Sequence, residues 1–401
     1  MLPAYFDHNA TTPLSGRVLE AMLPYFQESF GNASSRHAFG RAARKAVDDA
    51  REQVADAVGA HPSQVYFVSG GTEANNLLIK GAAARLRPSQ VAVSAVEHPC
   101  VMKPALALRE SGWKFRRFSV DNAGRLDMTD VQAALREPTG LASVMLANNE
   151  TGVVQDVAAV AEMARGAGAV IHTDAVQAFG KVPVSFADLN VHAMTLSAHK
   201  IYGPKGIGAL ILDKRLDIMP QIIGGGHEKG LRAGTENVPA IVGFGAACSL
   251  AVSGLGQSSL QLQSLRERLD QGLHAMGAVL FGDGAARLPN TGYFAFPGID
   301  GETLVMVLDR AGFAVASGSA CSSDSAEPSP VLLAMGVERE LARCAVRISL
   351  GRENEMGQVE RFLQVLQEEI FRLKRLVTVA PQGGSDPLRA MKPARAESYT
   401  V

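Results

Sequence analysis

Much that would direct a 401-residue chain toward a macromolecular partner or a membrane is missing here. Lys plus Arg total 39 and Asp plus Glu total 40, so no broad basic field favours nucleic acid or an anionic surface, and a small molecule is the expected partner. No apolar run reaches the ~18 residues that a membrane-spanning helix needs. The first residues, MLPAYFDHNATT, lack the charged and apolar regions of a secretion signal, which sets the expectation of a cytoplasmic protein. Cysteine is sparse: Cys100, Cys248, Cys321 and Cys344 are too scattered for a disulfide framework and form no CxxC pair that would suggest zinc. Cys248, in the helix-like GFGAACSLA, and Cys344, just before the strand-like AVRISL, read as inert core thiols.

What is present is an alternation of helical and strand patterns, on a chain long enough for a large domain and a lesser one. In RHAFGRAARKAVDDAREQVADAVG, Phe39, Ala43, Ala46, Ala50, Val54 and Ala57 recur at helical spacing, and Gly59 stops the run. Short apolar runs then read as strands: VYFVS, VAVSAV, ASVMLAN, AVIHTD, AMTLSA and GALILD. Helical segments such as VAAVAEMARGAG separate several of them, the pattern of an α/β protein whose mostly parallel sheet is covered on both faces. Such sheets bind ligands beyond the carboxyl ends of their strands.

Three strand ends carry the chemistry. After VYFVS comes GGTEANN, where Gly70 and Gly71 allow a close turn and Thr72 opens a helix whose amides suit a phosphate, although such a turn also serves as a plain cap. After AVIHT comes Asp174, with Gln177 following; this carboxylate suits either a cap or a protonated ring nitrogen. After AMTLSA come His199 and Lys200, ahead of the turn IYGPKG. A phosphate cradle, a carboxylate and an amine are together what holding pyridoxal 5'-phosphate requires. Lys200 is the expected anchor, because a lysine amine joins an aldehyde as a Schiff base. Lys205 is its nearest rival, though its place in the turn suits backbone support, and Lys181 reads as a surface charge.

DHNATTPL, GGTEANN, AVEHPCV, ANNETGVVQD, HTDAVQAFGK, SAHKIYGPKGIGAL, GGGHEKGLRAGTENV and ASGSACSSDSAEPSPVL stand in the order and spacing of another set of proteins. From roughly residue 5 to 375 the chain resembles cysteine desulfurases of the NifS/IscS type, within the class V aminotransferase group of fold type I pyridoxal phosphate enzymes. The resemblance implies a large domain with a mostly parallel sheet at residues 14–255 and a smaller α+β domain from 1–13 and 256–376, with 377–401 a flexible tail.

It also implies roles. Lys200 would be the Schiff-base lysine, and Asp174 would face the ring nitrogen and keep the ring an electron sink. Gln177 and Asn149 would lie near the ring hydroxyl, Asn149 also within reach of substrate. Gly71, Thr72, Ser197 and His199 match the phosphate contacts. Thr235, in RAGTENV, matches a threonine that reaches the phosphate of the other subunit, so a homodimer is implied. His98, by itself an ordinary structural histidine, matches one that stacks on the ring and exchanges protons; Cys100 matches no role. Arg347 would otherwise be a strand-end charge, but the resemblance pairs its planar fork with the substrate carboxylate.

The implied reaction converts L-cysteine to L-alanine, with Cys321 taking the sulfur as a persulfide for a sulfur-acceptor protein such as an iron-sulfur scaffold. ASGSACSSDSAEPSP has small, polar and proline residues without apolar periodicity, which reads as a mobile loop around Cys321. Two departures from the pattern stand out: His8 where asparagine is common, and Asp324 in the cysteine segment. A selenocysteine lyase or another aminotransferase-type enzyme on the same scaffold is the alternative, and a non-catalytic scaffold would need none of Lys200, Asp174 and Cys321.

Overall fold

The structure, a computed structural model, describes residues 3–317 and 327–379. In chain order its strands are β1 (Ala4–Tyr5), β2 (Val65–Val68), β3 (Gln90–Ser94), β4 (Lys114–Phe118), β5 (Thr139–Ser143), β6 (Val170–Asp174), β7 (Ala193–Ser197), β8 (Gly208–Leu212), β9 (Val279–Leu280), β10 (Thr291–Ala295), β11 (Phe313–Ala314), β12 (Ala316–Ser317) and β13 (Ala345–Ser349).

The apolar runs assemble into one seven-stranded sheet of order β2-β8-β7-β6-β5-β3-β4. Its pairings are parallel except at β8, which runs antiparallel to both β2 and β7. Strands β3, β6, β7 and β8 are buried throughout, as expected of strands covered on both faces. The helix Ala38–Ala57 packs beside the apolar helix Val238–Ser253 on this sheet's core, which includes Ala43, Ala46, Val47, Ala50 and Val54. Gly59 follows that first helix in the left-handed region, with φ of 63°, where a side chain would strain the backbone.

Local patterning misplaces three features. Phe39 is 54% exposed rather than buried; it lies in the first helical turn, against Phe30 with ring centroids 5.6 Å apart. The strand expected over ASVMLAN is β5, which ends at Ser143. Beyond it Asn148 Oδ1 accepts from the amides of Glu150 and Thr151, each at 2.9 Å, and turns the chain. Strand β4, KFRRF, has no apolar alternation to announce it, because it is a sheet edge where exposed Lys114, Arg116 and Arg117 discourage further pairing.

A second core joins the N-terminus to the C-terminal half of the chain. Strand β1 pairs with β11, and Phe6 packs against Phe313 and Phe362 at centroid distances of 5.7 and 5.6 Å. Strands β12-β13-β10-β9 form an antiparallel sheet beside this core, covered by the helices Leu255–Ala275 and Met356–Val379. Asp7 to Thr12 leave this second core and reach the turn after β7, where the amide of Thr12 donates to His199 O at 2.9 Å. Among the described residues no single helix is long and apolar enough to cross a membrane, and no cluster of His, Cys, Asp and Glu is arranged to hold a metal ion.

Candidate active site

The ends of β2, β6 and β7 open onto one cavity of about 430 Å³. Gly71, Thr72, His98, Asn149, Asp174, Gln177, Ser197, His199, Lys200 and Arg347, all singled out from the sequence, line it. Thr235 does not; it is exposed, away from the cavity of its own chain. Cys321 lies outside the described residues.

Each wall follows from local structure. Gly71 and Thr72 begin the thirteen-residue helix Gly71–Ala83, whose free amides border an adjoining recess shared with Ser197, His199 and Lys205. The turn before that helix sits tightly on β8. A Cβ at Gly208 would lie 2.6 Å from Leu196 O and 2.9 Å from Gly70 Cα, so only glycine permits this approach. Lys200 closes a single turn after β7, and its Nζ donates to the carbonyls of Asn9 at 2.5 Å and Ala10 at 2.7 Å.

Asp174 ends β6 and is buried. Its oxygens accept from neutral donors, Asn75 Nδ2 at 2.7 Å and the Val176 amide at 3.0 Å. Burial pushes this carboxyl above its usual range, while those donors, His98 and Lys200 pull the other way. A buried carboxylate held by neutral donors at a cavity wall is suited to a cationic ring nitrogen.

His98 caps the helix Pro99–Ala107, with Nδ1 accepting from the Cys100 amide at 3.2 Å. Burial lowers its pKa, Lys200 adds to that and Asp174 opposes it, so the imidazole is held neutral at neutral pH. Cys100, which no sequence reading placed in the site, lines the cavity with its Sγ 2.8 Å from His98 Nδ1 and 3.0 Å from Asn75 Nδ2. Burial pushes this thiol up to about 12, which leaves it a packing group rather than a nucleophile. Burial, with Lys200, Lys205 and Lys181 nearby, also takes His199 down to about 4.

Two residues under the cavity were not legible as site residues. Lys181, expected on the surface, is 7% exposed, because the turns that follow β6 bring it inward beside Gln177. Its Nζ donates to Gln177 Oε1 at 2.7 Å and Asn9 Oδ1 at 3.0 Å, and burial drives its pKa well down, aided by Lys200 and Arg347. Asn9 is the hub of this network. Its carbonyl accepts from Gln177 Nε2 at 2.9 Å as well as from Lys200, and its Nδ2 donates to Asn149 O at 3.2 Å and Thr291 Oγ1 at 2.9 Å. Arg347, on β13, donates from Nη1 to Asn149 O at 3.1 Å and from Nη2 to Asp7 Oδ1 at 2.6 Å.

An amine after β7, a buried carboxylate after β6 and a helix N-terminus after β2, on a mostly parallel sheet with a smaller α+β part, define a fold type I pyridoxal phosphate-dependent scaffold. Comparison with known proteins agrees. Residues 4–362 match the Aminotransferase class-V family model. The chain is 44% identical to "Cysteine desulfurase IscS" of Anaeromyxobacter sp. (strain Fw109-5) over 94% of each sequence. A solved "NIFS-LIKE PROTEIN" superposes with a TM-score of 0.88 at 37% identity, covering 92% of this chain and all 100% of that one. "SspA in complex with cysteine" superposes with a TM-score of 0.78 at 34% identity, covering 86% and 98%. The chain belongs to the class-V aminotransferase family, whose members are pyridoxal phosphate-dependent.

Proposed function

We infer that the protein is a pyridoxal phosphate-dependent cysteine desulfurase, converting L-cysteine to L-alanine with transfer of the sulfur to Cys321. The observation that carries this reading is that Lys200, Asp174, His98 and Arg347 line one cavity in a chain 44% identical to an IscS cysteine desulfurase. The residues present fit the cofactor: Lys200 would hold its aldehyde carbon, Asp174 its ring nitrogen, and Gly71, Thr72, Ser197 and His199 its phosphate, with His98, Asn149 and Gln177 around the ring. When bound, pyridoxal phosphate withdraws electrons from the bonds at the substrate Cα.

The chain's own residues supply the rest. Arg347, pre-aimed by Asp7 and Asn149, binds the substrate carboxylate through its fork. Lys200 removes the Cα proton. The Cys321 thiolate attacks the substrate sulfur: the carbon–sulfur bond breaks, a sulfur–sulfur bond forms, and the carbon fragment keeps the electron pair and gains a proton. His98, neutral and on the cavity wall, is the donor of that proton. The products are L-alanine and a persulfide on Cys321.

Further readings belong with this one. The protein acts in the cytoplasm as a homodimer, in which Thr235 completes the partner's phosphate site; the exposure of Thr235 and of apolar Leu19, Leu23 and Phe26 supports this. Residues 14–255 form the cofactor domain and residues 1–13 with 256–376 the smaller one. The IscS name of its relative supports an iron-sulfur scaffold as sulfur acceptor. The test is to incubate purified protein with L-cysteine and measure alanine, sulfide and protein-bound persulfide together. Stoichiometric alanine and persulfide is the expected result; consumption of a keto acid, or alanine without sulfur release, overturns the reading.

A further inference from the structure

Beneath the cavity sits an amine that the reaction above does not use. Lys181 is buried, yet it does not itself line the cavity. Lys200 and Arg347 both oppose its charge, and it in turn opposes protonation of His8 and His199. An interior amine among like charges is costly to keep, and an apolar side chain of similar length would cost less, so stability alone is a poor reason for it.

Its hydrogen bonds suggest another reason. Nζ donates to Gln177 Oε1 at 2.7 Å and to Asn9 Oδ1 at 3.0 Å, and an amine has hydrogens for both whether or not it is charged. Asn9 is itself fixed, because its Nδ2 is committed to Asn149 O and Thr291 Oγ1, which leaves Oδ1 for Lys181. Gln177 lines the cavity, and its Nε2 donates to Asn9 O at 2.9 Å. Turning this carboxamide over would set oxygen against oxygen at Asn9 and hydrogen against hydrogen at Lys181. The amide is therefore held one way round. Its oxygen is drawn to Lys181, outside the cavity wall, and its nitrogen keeps a second hydrogen for what the cavity holds.

We propose that Lys181 is a positioning residue for the cofactor: by holding Gln177 Oε1 it makes the amide nitrogen of Gln177, and not the oxygen, meet the ring hydroxyl. The inference rests on the reading of the cavity as a pyridoxal phosphate site. A donor on the ring oxygen stabilises its anion, and so lowers the pH at which the cofactor joined to Lys200 gives up its Schiff-base proton. An acceptor in the same place would raise it.

The experiment titrates holoenzyme with pH in the absence of substrate and follows the visible absorbance of the cofactor. Lys181→Met is expected to raise the midpoint by roughly 0.4–1 unit, the equivalent of one hydrogen bond, and Gln177→Ala to raise it likewise. Loss of a positive charge at Lys181 would also raise the midpoint, so the deciding measurement is the double variant. If Lys181 acts through Gln177, Lys181→Met adds nothing further in the Gln177→Ala background. Lys181→Gln, one bond shorter but still a donor, is expected to shift the midpoint less than Lys181→Met, and it carries the same cycle should Lys181→Met not fold. An unmoved midpoint in Lys181→Met, or a shift that persists undiminished in the Gln177→Ala background, overturns the proposal. Purified protein that takes up no pyridoxal phosphate overturns the reading of the cavity and this inference with it, a failure distinct from a bound cofactor whose titration ignores Lys181.

Discussion

Arg347 and Asp7, from opposite ends of the chain, meet at 2.6 Å beside the cavity. The carboxylate and the Asn149 carbonyl hold the guanidinium by both terminal nitrogens, so its orientation is set before substrate arrives. Charge-assisted bonds of this kind contribute about 1.5–3 kcal/mol. Arg347→Ala should therefore raise KM for L-cysteine roughly tenfold to a hundredfold with cofactor content unchanged. Arg347→Lys should recover little, because an ammonium cannot reproduce the fork. Steady-state kinetics with cofactor quantified by absorbance is the check; an unchanged KM in Arg347→Ala would place the substrate carboxylate elsewhere.

Lys200→Ala should lose the covalently held cofactor and the yellow colour of the purified protein. Borohydride reduction of wild type followed by peptide mapping should find the cofactor on Lys200. Lys181 is the informative alternative now that it is known to lie under the same cavity rather than on the surface. Its amine is already committed to Asn9 and Gln177, and modification at Lys181 or Lys205 would defeat the assignment.

Cys321→Ala should keep the fold and the absorbance change on adding L-cysteine, yet alanine production should collapse for want of a thiolate to accept the sulfur. L-selenocysteine supplies a contrast, since selenium leaves more readily without a protein thiol. Wild-type alanine output from L-cysteine in this variant would remove Cys321 from the mechanism. Cys100 would be a poor substitute, because its thiol is pushed up to about 12.

Acid should destabilise the fold over a defined window. Burial lowers His8 from 6.5 to about 4 and His172 from 6.5 to about 3. In the unfolded chain both protonate near pH 6.5, so their contribution is complete above that value and shrinks as pH falls toward the folded-state pKa. Each adds a slope of up to ~1.4 kcal/mol per pH unit in that window. Glu97, which burial pushes up to about 8, adds a slope of opposite sign over the same window, so the informative comparison is between variants. The change in urea midpoint from pH 7 to pH 5 should be smaller in His8→Asn than in wild type, and an equal change in both would contradict neutral burial of His8.

How much of this was legible in the chain itself depends on the range of the interaction. Apolar runs such as VIHTD and GALIL specify strands because a strand buried on both faces has to be apolar along its length. Residues that such strands carry to one sheet edge then meet, which is why Asp174, Lys200 and the Gly71–Thr72 turn could be placed in one site from spacing and chemistry. Charged β4 escaped because its role is to end the sheet, and a strand end at Ser143 escaped because Asn148 turns the chain through side-chain bonds that periodicity does not register.

Only the tertiary structure decided the rest. Asn9 joins Lys200, Gln177, Lys181 and Asn149 although it lies 191 residues from the first of them and 140 from the last. Glu150 reaches Ser329 across 179 residues, and Asp7 reaches Arg347 across 340. Local patterning registers none of these pairings, since each bond depends on how the N-terminal segment and the second core are seated against the seven-stranded sheet. Burial of Lys181 follows from the same seating: the acceptors that make an interior amine tolerable, Asn9 Oδ1 and Gln177 Oε1, come together only when the chain has folded.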